Sequence, residues 1–98
     1  MHALTMDTLE QIGHLVMAAL AKARELKMFV LDSESRQKVE ELMKTAKDSS
    51  QKIDALTEAT ATNGKLDKAM VDSALDRILA AMKGVNEELD RLLAKARG

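Results

Sequence analysis

Residues 9–31, LEQIGHLVMAALAKARELKMFVL, constrain the fold of this chain more than any other stretch. No charged residue occurs from position 12 to position 21. Apolar residues recur at steps of three and four in one series, and a second series lies beside it. The first series is Leu9, Ile12, Val16, Ala19, Ala23, Leu26 and Val30, and the second is Gly13, Met17, Leu20, Met28 and Leu31. A helix that packs against one partner needs only one apolar stripe, so a helix that is apolar around most of its circumference must be covered by several elements. The segment therefore predicts the central helix of a bundle.

The composition indicates an all-α fold built around an aliphatic core. The chain has no proline and only four glycines, helix-forming residues dominate elsewhere, and no sustained alternation of period two occurs. Hydrophobic residues make up 46% of the 98 residues, which is enough for one small domain with a core of its own. Phe29 is the one aromatic residue, so the core has to consist of Leu, Ile, Val, Met and Ala.

Capping signals divide the chain into three helices, at about 7–31, 34–62 and 67–96. Asp7, with Glu10 three residues later, forms a capping-box pattern at the start of the first helix, and Thr5 is a competing cap. The run Asp-Ser-Glu-Ser at 32–35 is typical of a helix N-terminus and favours a break between the first two helices. A continuous helix is the alternative, because an apolar seam also runs through this stretch from Met28 to Leu42. Asn63-Gly64 predicts the end of the second helix, and Asp67 caps the third.

The second and third helices each carry an apolar seam with steps of three and four. The seam of the second helix is the weaker one and contains three small or polar residues; its members are Val39, Leu42, Ala46, Ser49, Ile53, Leu56 and Thr60. The seam of the third helix is regular; its members are Val71, Leu75, Ile78, Met82, Val85, Leu89, Leu92 and Ala96. Short connections make neighbouring helices antiparallel, and a period of 3.5 residues is typical of coiled-coil packing. The sequence predicts one domain, 1–98, folded as an antiparallel up-down-up three-helix bundle with heptad packing.

The charge pattern argues against several classes of function. The 15 basic and 16 acidic residues give a net charge of −1, with no basic face for a phosphate backbone, so we expect no nucleic-acid binding. Cysteine is absent, which excludes disulfides. The uncharged stretch is half of the ~20 residues that span a bilayer, so no membrane span is expected. The N-terminal residues show no signal-peptide pattern. These features favour a soluble, cytoplasmic protein.

The sequence suggests two candidate sites for small ligands, but neither is the favoured interpretation. His14 and Met17 lie one turn apart, and a His/Met pair in a helical bundle is able to ligate haem iron. A haem-binding or small-molecule-binding bundle that uses His14 and nearby methionines is therefore the alternative function. Residues 63–67, NGKLD, resemble the middle of an EF-hand loop, but Ala59, Ala61 and Met70 stand at the essential ligand positions. We expect a turn there, and we expect no cofactor and no metal.

The expected function is a non-enzymatic protein–protein interaction or assembly module. The chain lacks the residue groupings that catalysis needs, and its first helix has more apolar surface than its own chain is expected to cover. Self-association into a homo-oligomer is the simplest use of that surface, and binding of an amphipathic helix from another protein is the next. The predicted partner-binding residues are Leu9, Ile12, Val16, Met17 and Leu20.

Overall fold

Three helices form the bundle that the sequence predicts. The structure is a computed structural model; it describes the backbone of residues 3–62 and 68–98 and the side chains of 7–59 and 69–98. The helices are α1 (Ala3–Leu26), α2 (Ser33–Thr62) and α3 (Lys68–Arg97), and the described residues contain no strand. They run up, down and up in a molecule about 50 Å long and 19 by 16 Å across. The predicted turn at 63–67, with its capping Asp67, lies outside the described residues.

The break between α1 and α2 is confirmed, although α1 ends at Leu26, five residues before the predicted end. It begins at Ala3, four residues before the predicted start, so Asp7 lies inside α1 and the prediction that it caps the helix is wrong. After Leu26 the amides of Met28 and Phe29 bond three residues back, to the carbonyl oxygens of Glu25 and Leu26. Bonds of this i→i−3 type tighten and end a helix. The chain then crosses the end of the bundle without regular structure as far as Asp32.

Alternate residues of this crossing segment point toward the core and toward solvent. Phe29 and Leu31 pack against the core, while Met28 and Val30 are exposed. The prediction that Val30 continues the buried series of α1 is therefore wrong, since its side chain is fully exposed. Apolar residues that anchor a connection produced the apparent continuation of the helical pattern.

Asp32 is the N-cap of α2. Its carboxylate oxygen Oδ1 accepts a hydrogen bond from the backbone amide of Ser35 at 2.7 Å, and its carbonyl oxygen accepts the amide of Arg36 at 3.0 Å. This is the geometry of a residue that satisfies the free amides at a helix start. The hydrogen bonds from the Ser35 amide and hydroxyl hold the pKa of Asp32 below its ordinary value near 3.8.

One core joins the inward faces of all three helices. The seam predicted for α3 and that predicted for α2 as far as Leu56 point into this core; Thr60 lies outside the described side chains. Helix α1 packs more extensively against α3 than against α2. The buried apolar residues are Ile12, Ala19, Ala23, Leu26, Val39, Leu42, Ala46, Leu75, Ile78, Met82, Val85, Leu89 and Leu93. Small residues at the α1 and α2 positions of this set let the helices approach closely, which agrees with a core that has almost no aromatic side chains.

Candidate interaction surface on the first helix

The two faces of α1 have different roles. Ile12, Ala19, Ala23 and Leu26 are buried between α2 and α3. The opposite side, which we call the outer face of α1, carries seven residues that are exposed except for the half-buried Leu20. They are Glu10, Gly13, His14, Met17, Leu20, Ala21 and Arg24. Between the two charged ends, this face has no charged side chain.

Met17 occupies the centre of the outer face. Residues four and seven positions away on either side of it lie within about 40° around the helix, because 3.6 residues make one turn. Its side chain is 73% exposed, which is unusual for a large apolar residue in the middle of a helix. Met17 therefore offers apolar area that the described part of its own chain does not cover.

The five residues predicted to bind a partner divide into three groups. Ile12 is only 1% exposed and belongs to the core, so a partner does not reach it while the bundle is intact. Leu9, Val16 and Leu20 are half-buried and pack against the edge of the core. Met17 is the member that faces solvent. The surface that a partner is able to reach therefore includes fewer of these five residues than predicted, and it lies on the side of α1 that carries Met17.

A shallow groove of about 410 Å³ borders the outer face where α1 meets α2. Met17 and Gly13 contribute to it from α1, and Ser50 and Ile53 close it from α2. Leu9 and Val16 also line it from α1, and the lining is largely apolar. The groove extends the apolar surface of Met17 toward the second helix.

The charged residues of α1 fall into paired and unpaired sets. Lys22 Nζ lies 3.0 Å from the carboxylate of Asp90 on α3, and Glu25 pairs with Arg97, which is also on α3. Just after the end of α1, Lys27 Nζ lies 3.3 Å from the carboxylate of Glu40 on α2. Glu10 and Arg24 form no ion pair with any residue that the structure describes. Glu10 and Arg24 lie at the two ends of the outer face.

Gly13 has no structural reason within the bundle to be glycine. It lies inside α1 with an ordinary helical backbone, and a Cβ built on it meets no atom within 4 Å. Glycine inside a helix is less favourable than alanine by roughly 1 kcal/mol. The packing of the residues that the structure describes does not compensate for this loss of helix stability.

The structure places His14 and Met17 on the same exposed side of α1, beside the groove. A group bound between them would keep much of its surface in water, whereas ligand sites usually bury most of the ligand. Among the described residues, no three histidine, aspartate or glutamate side chains lie close enough together to hold a metal ion.

Sequence reasoning missed a buried polar cluster between α1 and α3. The Asn86 side chain is 6% exposed; its Nδ2 donates to the carbonyl oxygens of Leu15 (3.0 Å) and Met82 (2.9 Å), and its Oδ1 accepts from Lys22 Nζ (3.0 Å). Lys22 also reaches Asp90. The available signal was that Asn86 continues a second seam of α3, with Met82 four residues before it and Leu89 three residues after it. The cluster fixes the position of α1 against α3 and does not lie on the outer face of α1.

Comparison of the chain with protein-family models, with curated proteins and with solved structures gave no match. Over their described residues, none of the three helices is long and apolar enough to cross a membrane.

Proposed function

We propose that this chain is a non-enzymatic assembly module that binds a second copy of itself through the outer face of α1. The observation that carries the proposal is Met17, which is 73% exposed at the centre of a helix face that has no charge from position 12 to position 21. Exposed apolar surface that is bordered by polar residues is typical of protein interaction sites. The groove between α1 and α2 adds further apolar area next to it.

A binding role accounts for this surface better than catalysis does. General acid–base catalysis uses titratable groups whose environment tunes their protonation, and the titratable residues on the outer face, Glu10, His14 and Arg24, are all exposed. Haem ligation by His14 and Met17 is not favoured by their positions either, because both side chains face solvent. The outer face therefore offers a shape and an apolar area that suit binding.

A second copy is the simplest partner because the surface belongs to an amphipathic helix. Two such helices are able to cover each other's apolar faces when they pack side by side. An amphipathic helix of another protein would use the same chemistry, and the experiment below separates these partners.

Light scattering on the purified chain tests the proposal. The mass per particle is expected to rise above the 10.7 kDa of one chain as the concentration reaches the high micromolar range. Met17→Glu places a charge at the centre of the outer face and is expected to return the mass to that of one chain. Met70→Glu is the matched control, since Met70 is 62% exposed on α3 and lies outside the proposed surface.

A constant mass of 10.7 kDa for the wild-type chain would exclude self-association. An equal loss of mass in both variants would show that added charge, and not the outer face, controls association. Circular dichroism on each variant confirms that the helices are retained.

A further inference from the structure

We infer that two copies meet with their α1 helices antiparallel, across a two-fold axis that passes beside Met17. This inference rests on the proposed function and adds the geometry of the complex. In a two-fold contact the same surface is used by both copies, so residues at equal distances before and after the axis face each other. The charged residues and the small residues of the outer face match that requirement.

The unpaired charges of the outer face are complementary in this arrangement. Glu10 lies seven residues before Met17 and Arg24 lies seven residues after it. Across the antiparallel contact, Glu10 of one copy faces Arg24 of the other, and this happens twice. A parallel contact would place Glu10 against Glu10 and Arg24 against Arg24, which is repulsive. Opposite charges at equal distances from Met17 therefore favour the antiparallel orientation.

Small residues flank the axis in the same symmetric way. Gly13 lies four residues before Met17 and Ala21 lies four residues after it, on the same side of the helix. In the antiparallel contact Gly13 of one copy faces Ala21 of the other, so the two backbones are able to approach closely beside the methionines. This close approach gives a reason for Gly13, which the packing within one chain does not supply.

The contact is small enough to be reversible. From Glu10 to Arg24 the helix is about 21 Å long at 1.5 Å per residue. One pair of helices over this length falls toward the low end of specific interfaces, where complexes are weak. We therefore expect a dimer in equilibrium with single chains, and partial weakening by added salt because the charge pairs lie at the solvent-exposed ends.

Charge exchange provides the first test. Glu10→Arg and Arg24→Glu are each expected to weaken dimerisation at least several-fold, because like charges then face each other. The double variant restores both pairs and is expected to regain most of the wild-type dimer. Sedimentation equilibrium measures all four proteins. A double variant as weak as the single variants, or single variants as strong as the wild type, would overturn the antiparallel assignment.

Cross-linking tests the orientation directly, since the natural chain has no cysteine. Glu10→Cys and Arg24→Cys proteins are mixed in equal amounts and treated with a short thiol cross-linker. Cross-links between the two different variants are expected to exceed those within either variant alone. A tag that changes the mass of one variant identifies each product on a gel.

The two possible failures are distinguishable. If dimers form and Met17→Glu abolishes them, but the cross-links join position 10 to position 10, the proposed function stands and the antiparallel assignment is wrong. If the wild-type chain stays at the mass of one chain, the proposed function and the inference both fail.

Discussion

The side-chain amide of Asn86 on α3 donates a hydrogen bond to the backbone carbonyl oxygen of Leu15 on α1, with the two atoms 3.0 Å apart. The same nitrogen also donates to the carbonyl oxygen of Met82, and the side-chain oxygen accepts from Lys22. A buried amide with all of these partners fits one axial and rotational position of α1. It therefore fixes the direction in which Met17 and the outer face point.

Asn86→Ala is expected to lower the free energy of unfolding by about 1–2 kcal/mol, because a buried hydrogen-bond group and part of its volume are lost. Urea denaturation followed by circular dichroism measures the change. Gln11→Ala on the exposed side of α1 is the control and should change stability by less than about 0.5 kcal/mol. Equal stability of the wild type and Asn86→Ala would show that the buried amide does not hold the helices together.

Gly13 and Gly84 form a matched pair for separating fold stability from association. Both lie in helices, and a Cβ at either position meets nothing within 4 Å. Gly13→Gln and Gly84→Gln are each expected to raise the free energy of unfolding by about 0.5 kcal/mol, because glutamine is a better helix former than glycine. Only Gly13→Gln should weaken the dimer in sedimentation experiments, because its side chain enters the contact. If both substitutions changed association equally, Gly13 would not lie in the interface.

The cap at Asp32 makes part of the stability depend on pH. Its pKa is lowered in the folded chain by the hydrogen bonds from Ser35, so its contribution is complete above the unfolded pKa and is lost as the pH falls through the folded pKa. Asp32→Asn keeps a capping oxygen but does not titrate. We expect the wild type to lose stability relative to Asp32→Asn as the pH falls from about 5 to about 3. Thermal unfolding at several pH values measures this difference, and parallel curves for the two proteins would contradict it.

Addition of haem distinguishes the assembly proposal from the ligand-binding alternative. Because His14 and Met17 are both exposed, we expect no shift of the Soret band that depends on His14. Visible spectra of the wild type and His14→Ala, recorded with the same haem concentration, provide the comparison. A Soret shift that appears in the wild type and disappears in His14→Ala would support the alternative.

Much of the fold was predictable because burial follows helical periodicity. The seam of α3, most of the seams of α1 and α2, and the break before Ser33 follow from apolar spacing and the capping residue Asp32. Neither end of α1 was predicted correctly. The helix begins at Ala3, before the expected cap at Asp7. Phe29 and Leu31 pack against the core from a connection, so they continue the apolar spacing beyond the end of the helix. Periodicity alone does not separate a buried helix from an anchored crossing segment.

An exposed apolar surface on α1 was predictable from the sequence, but the residues that form it were predicted only in part. An excess of apolar residues on α1 indicated an exposed strip, but the side that faces water depends on the position of α3. That position involves Asn86, a polar residue in a seam. Two of its hydrogen-bond partners, Leu15 and Lys22, are distant in sequence. The prediction accordingly included Ile12, which is buried, and did not include Glu10 and Arg24, which lie at the ends of the outer face.

Sedimentation equilibrium of the wild-type chain beside Met17→Glu and Met70→Glu tests the central claim most directly. The account predicts a monomer–dimer equilibrium for the wild type and Met70→Glu, and a single species of 10.7 kDa for Met17→Glu at every concentration. A wild-type chain that remains a single species of 10.7 kDa at high micromolar concentration, or a Met17→Glu chain that dimerises as strongly as the wild type, would contradict it.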